Sequence, residues 1–189
     1  MLGCHSKSVS SEELQSYVLD EDNGLQKSVE SSGTKVTVTY RPTDLWVQQE
    51  IEGKIVKAPT VDSLRRKYSR YYYFIVSLSR DNKEALHQVR TMGHYSDLVQ
   101  TMSFAMSQFV NLTTTKQDTI IVSDSMLNRT YGLGSSTDLL LVFERVKAED
   151  DDWVQLNLSE FGLGLGNQRF RFASKDFERL PSLDFSVAN

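Results

Sequence analysis

Tyr71-Tyr72-Tyr73-Phe74-Ile75-Val76-Ser77-Leu78 is the stretch that decides the fold class. Aromatic and β-branched residues follow one another without a break, which predicts an internal β-strand covered on both sides. Upstream of it, Lys35 to Tyr40 alternates Val36, Val38 and Tyr40 against Thr37 and Thr39, the period of a half-buried strand. Residues 25–31 supply a partner strand, joined to it through a Ser32-Gly33 turn. Downstream, Thr119 to Val122 is short and β-branched, and Asp138 to Val146 is long and apolar. Trp153 to Leu158 and Gln168 to Phe172 alternate again. The last three strands predict an antiparallel meander with loops at 147–152 and 161–167.

Helical signals lie between these strands. Ser10-Ser11-Glu12-Glu13 before Leu14, Tyr17 and Val18 reads as a capped helix with acid in its first turn. Thr43 starts a second helix, with Leu45, Trp46 and Ile51 on its apolar face, and residues 62–69 form a short basic one. Residues 83–92 predict a helix carrying Leu86 and Val89, interrupted at Gly93. Ser96 then caps another through Phe109, with Val99, Met102, Met106 and Phe109 at helical steps. A last short helix near 174–180 precedes Pro181. The expected class is α+β: helices packed on a mainly antiparallel sheet, with a C-terminal three-strand meander. Residues 12–189 form a single domain and residues 1–11 a polar lead.

Composition narrows the function. The chain has 189 residues and a net charge of −4, so a general affinity for nucleic acid is not expected. Nine Phe, eight Tyr and two Trp provide the bulk for one core. A lone cysteine, Cys4, excludes an internal disulfide framework and zinc sites built on cysteine pairs. No apolar run reaches the roughly 18 residues of a spanning helix.

Met1-Leu2-Gly3-Cys4 resembles the end of a bacterial lipoprotein signal, in which a small residue precedes a cysteine that is lipidated and becomes the new first residue. The basic and apolar regions of such a signal are expected upstream of Met1. The resemblance covers these four residues and implies a lipid attached at Cys4, hence a membrane-tethered body in the cell envelope, periplasmic or surface-exposed. His5 to Ser11 (HSKSVSS) has the composition of a polar tether. The body of the chain resembles no characterised family.

Candidate chemistry is sparse. Gly162-Leu163-Gly164-Leu165-Gly166-Asn167 looks like a phosphate-cradling loop, but a strand pattern follows it where a helix N-terminus is needed. Its glycines are expected to serve a hairpin or bulge. Gly132-Leu133-Gly134 is followed by a strand too and lacks the P-loop lysine. His87 and His94 stand about 10 Å apart along any continuous helix, too far to share a metal ion. His94 with Asp97 and a nearby serine, Ser96 or Ser103, is the one hydrolase-like grouping. Glu149 to Asp152 lacks the spaced ligands of a calcium loop and is expected to be solvated. Met92, Met102 and Met106 are core filler. Arg65, Arg66, Lys67 and Arg70 with Tyr71, Tyr72 and Tyr73 form the basic, aromatic-interleaved segment that suits an acidic partner or anionic headgroups.

No cofactor and no metal are expected. The leading expectation is a lipid-anchored envelope protein that binds a protein partner as scaffold or accessory subunit, without catalysis. An envelope hydrolase using His94 as base and a cytosolic interaction subunit are the alternatives.

Overall fold

Alternation along the strands sorts the side chains into an enclosed set and an outward set, and the enclosed set makes one core. The computed structural model describes residues 8–52, 54, 56–145 and 151–185. Cys4 and most of the expected tether lie outside these residues, as do Glu149 and Asp150. The chain runs β1 (Ser8–Val9), α1 (Ser11–Leu19), β2 (Gln26–Ser31), β3 (Thr34–Tyr40), α2 (Thr43–Ile51), α3 (Ala58–Tyr68), β4 (Tyr71–Arg80) and β5 (Lys83–Glu84). It continues through α4 (Met92–Phe104), β6 (Val110–Thr114), β7 (Thr119–Asn128), β8 (Thr137–Glu144), β9 (Trp153–Leu158), β10 (Gln168–Ala173), α5 (Ser174–Glu178) and β11 (Ser182–Leu183).

Among the described residues the main sheet has the order β10-β9-β6-β7-β8-β4-β3-β2, antiparallel between all neighbours, with β5 added beside β4. It curls into a nearly closed barrel with helices against it, an α+β architecture. The two edges approach each other where Ser31 Oγ donates to the Leu165 carbonyl at 2.8 Å. Gly24, just before β2, has φ of 75°, and a Cβ there would fall 2.4 Å from Asp176 Oδ2. The left-handed φ is a conformation that glycine adopts without strain.

Inside the barrel lie Val36, Val38 and Tyr40 of β3, Phe74, Val76 and Leu78 of β4, and Leu139, Leu141 and Phe143 of β8. Leu112, Leu156 and Phe172 extend the same core to the other half, and α4 adds Leu98 and Met102. The outward face of β4 is partly covered too. Tyr73 packs against Trp46 of α2 and Tyr68 of α3, so the expectation of cover on both sides holds at that end of the strand.

The expected three-strand meander does not form. Both edges of β8 are occupied, by β7 and β4, and β9 therefore pairs with β6 and β10. Strand β7 makes this order possible. Its first residues pair with β6 and its later ones with β8, with a bulge between Val122 and Asp124 where it turns from one half of the barrel to the other. The helix expected over 83–92 is also replaced. Lys83–Glu84 pairs with β4 and a 3₁₀ turn spans Ala85–Gln88. Thr91, not Ser96, caps α4, its hydroxyl accepting from the His94 N–H at 3.2 Å.

Strand pairing is present from Ser8, the first described residue. Ser8 and Val9 pair in parallel with Ser182 and Leu183. Ser10 and Glu13 then make a reciprocal capping box for α1. Nearby, Asp44 accepts two 2.7 Å hydrogen bonds from Arg65 and a 2.8 Å bond from the Leu183 N–H. This bidentate pair joins α2, α3 and β11.

Candidate functional site

A groove of about 520 Å³ opens between α1 and α2, over the outward face of β3 and β4. One wall comes from α1 through Ser11, Glu12, Gln15, Val18 and Leu19. Leu45, Gln48, Gln49 and Glu52 form the other, and Thr39, Arg41 and Ile75 lie between. Thr39 and Ile75 are there by register: they are cross-strand partners on the outward face, opposite the buried Val38–Val76 pair. Ser11 Oγ donates to Gln48 Oε1 at 2.5 Å and so links the two helical walls. A second depression of about 420 Å³ shares Leu19, Thr39 and Ile75 and continues past Thr37, Ser77 and Ser79. Together they make an open channel whose walls mix hydroxyl, amide and carboxylate groups with apolar side chains.

Arg41 is the unusual residue of this channel. Its guanidinium lies over the Trp46 ring, 4.5 Å from the centroid, and Nη2 donates to Gln49 Oε1 at 3.0 Å. Its Nε is buried without a hydrogen-bond partner, and no carboxylate pairs with Arg41 among the described residues. Burial pushes its pKa below the ordinary arginine value. Such burial disfavours the charged form, and a nearby anion would offset it.

The basic segment singled out in the sequence is divided by the fold. Arg65 is committed to Asp44, and Lys67 pairs with Glu50 at 2.9 Å, where the Tyr68 hydroxyl also donates. Tyr72 packs inward with Phe74 and Phe177, with Arg145 over its ring, while Tyr73 packs outward on Trp46. Burial raises the Tyr73 phenol to about 12. Tyr71 is half-buried, and Arg66 and Arg70 are exposed. The seven residues therefore do not share one surface.

His94 is exposed at the start of α4, with Nε2 2.7 Å from the Gly162 carbonyl, to which it donates. Ser96 and Asp97 are exposed as well, and Ser103 Oγ accepts from Arg129 at 3.3 Å. No serine hydroxyl is hydrogen-bonded to His94 among the described residues. No cluster of three or more His, Cys, Asp or Glu suited to a metal ion occurs among them either.

Both glycine loops cradle a carboxylate that belongs to the chain itself. Glu160 Oε1 accepts from the Gly162 and Gly164 N–H groups at 2.7 and 2.9 Å, and Oε2 accepts from Gly166 at 2.6 Å. Glu84, buried at 3% exposure, accepts from Gly132 and Gly134 at 2.8 and 2.9 Å and from the Thr130 hydroxyl. His87 Nε2 stands 3.4 Å from its other oxygen. Successive backbone N–H groups make an anion-binding concavity, and here each is filled from within.

No model of a known protein family matches this chain, and no curated protein matches it. A solved structure, described as a novel protein of unknown function from Burkholderia pseudomallei K96243, is similar at 10% identity, over 97% of this chain and 100% of that one. Its TM-score of 0.39 is too low to bear on fold or function.

The sequence reading missed Arg41, Gln48 and Gln49. Arg41 was visible only as the residue before Pro42 at a strand end. Its want of a counter-charge depends on which carboxylates the fold brings near, and no local pattern reports that.

Proposed function

We propose that this chain is a non-catalytic binding or accessory protein of the bacterial cell envelope, held by lipid at Cys4 and using the α1–α2 groove as its binding surface. The observation that carries this is the groove itself. It is open, lined by polar and apolar side chains together, and walled on one side by α1. The span from Cys4 to Ser8 is at most about 14 Å of extended chain. An anchor at Cys4 would therefore hold α1, and with it the groove, close to the bilayer. Among the described residues no helix is long and apolar enough to cross a membrane.

The test is made in the native host, with the gene expressed from its own upstream DNA. An alkyne fatty acid should label the wild type and leave Cys4→Ala unlabelled. A photo-crosslinking residue at Gln15, on the groove wall, should capture a partner that the same residue at the exposed Asp118 does not. Absence of label in the wild type would remove the anchor. Equal capture from both positions would remove the groove.

A further inference from the structure

Arg41 is held firmly yet left incomplete. Its backbone N–H donates to the Tyr73 carbonyl at 2.8 Å, which fixes the residue at the end of β3. Its side chain is positioned by the Trp46 ring and by Gln49. A guanidinium carries five N–H donors. The Gln49 bond is the hydrogen bond its side chain makes among the described residues, and the buried Nε makes none. Arg41 is partly buried with no counter-charge among the described residues, and an anion brought to it would offset that burial. Arg65, by contrast, sits nearby with its carboxylate in place.

We propose that the groove binds the C-terminal carboxylate of a peptide, with Arg41 as its counter-charge. The proposal rests on the groove being the binding surface and names what that surface takes. A carboxylate matches the planar fork of the guanidinium bidentately. Val18, Leu19, Leu45 and Ile75 offer an apolar bed for the terminal side chain, and the amides of Gln15 and Gln48 suit peptide N–H and C=O groups. A volume of about 520 Å³ admits a ligand of a few residues. Glu12 and Glu52 line the same groove, so a ligand charged along its length, such as a uronate oligosaccharide, would meet repulsion. A peptide terminus carries its single charge to Arg41 and brings no second negative charge near Glu12 or Glu52.

The experiment uses the full chain carrying Cys4→Ala, immobilised, and two pools of N-acetylated tetrapeptides of random neutral sequence. One pool has free carboxyl termini and the other is amidated; retention is read by mass spectrometry. The free-acid pool should be retained at least about tenfold over the amidated pool. Arg41→Gln should abolish the difference while keeping Tm, because the partly buried charge it removes has no ion-pair partner among the described residues. Leu19→Glu changes a residue that is 58% exposed and should weaken free-acid retention with no loss of fold.

Equal retention of the two pools, retention of neither, or a preference that survives Arg41→Gln would overturn the proposal. So would stronger retention of a glucuronate trisaccharide than of the free-acid pool. Should Arg41→Gln unfold, undiminished free-acid retention by Leu19→Glu decides against it. A selective cross-link from Gln15 in cells, together with equal retention of the two pools, would leave the groove as binding surface and remove only the carboxylate.

Discussion

Glu84 and Glu160 show how single residues set the shape of two loops. For each, burial works against the charge, but hydrogen bonds outweigh it and hold the pKa below the ordinary carboxylate value: at Glu84 first from the Thr130 hydroxyl, then from the Gly134 and Gly132 N–H groups, with His87 adding to them, and at Glu160 from the glycine N–H groups of its loop. A carboxyl whose pKa is depressed on folding contributes stability that is whole above the unfolded value, about 4.3 for Glu. That contribution is lost as pH falls through the folded-state value. Glu84→Gln should therefore cost about 2 kcal/mol at pH 7, the scale of hydrogen bonds to a charged group. The gap between variant and wild type should narrow below about pH 4. Urea denaturation from pH 7 to 3 checks this, and a gap independent of pH would mean that the charge at Glu84 is immaterial. The sequence carries an anion-cradling pattern in both loops, but neither is followed by the helix that a phosphate site needs. The chemistry was legible, but the anion was already in the chain, and Glu160 stands only two residues before Gly162.

At the scale of elements, α2 and α3 form a pair that leans on the barrel from outside. Asp44–Arg65 holds it, with a small aromatic cluster of Trp46, Tyr68 and Tyr73 beneath. This contact is separate from the main core, so it should loosen separately. Trp46→Ala should raise amide hydrogen exchange across residues 43–68 by tenfold or more, with exchange in β4 and β8 little changed. A uniform rise over the whole chain would mean that the helical pair and the barrel open as one unit.

The strands carrying strict alternation, β3, β9 and β10, were legible because one face of each is buried and the period reports burial directly. Residues 83–92 misled for a tertiary reason. Their apolar spacing suits a helix, but Glu84 is drawn to the Gly132 loop and Leu86 donates its N–H to Thr137 Oγ1, so a short strand and a 3₁₀ turn form instead. Strand pairing was the least legible. Consecutive strands usually pair, and nothing local reveals that β4 takes the edge of β8 that β9 would need.

For the molecule as a whole, the pairing of β1 with β11 brings Ser8 beside Ser182, so the two ends of the described chain are fastened to each other before either reaches the barrel. A load applied through the amino-terminal lead would fall first on two short strands and the capping box of α1. The barrel, with its long ladders, lies behind them in series. Pulling should produce an early, low-force event that peels β1 and unwinds α1, releasing about 40 Å of extended chain over residues 8–19. Single-molecule stretching from Ser8 against Ala173 would register it as a step separate from rupture of the sheet, and a single rupture without that step would show that α1 and the barrel yield together. Because α1 is one wall of the groove, tension and occupancy become linked. Whatever fills the groove would brace the helix against the pull, and a hard enough pull would empty it.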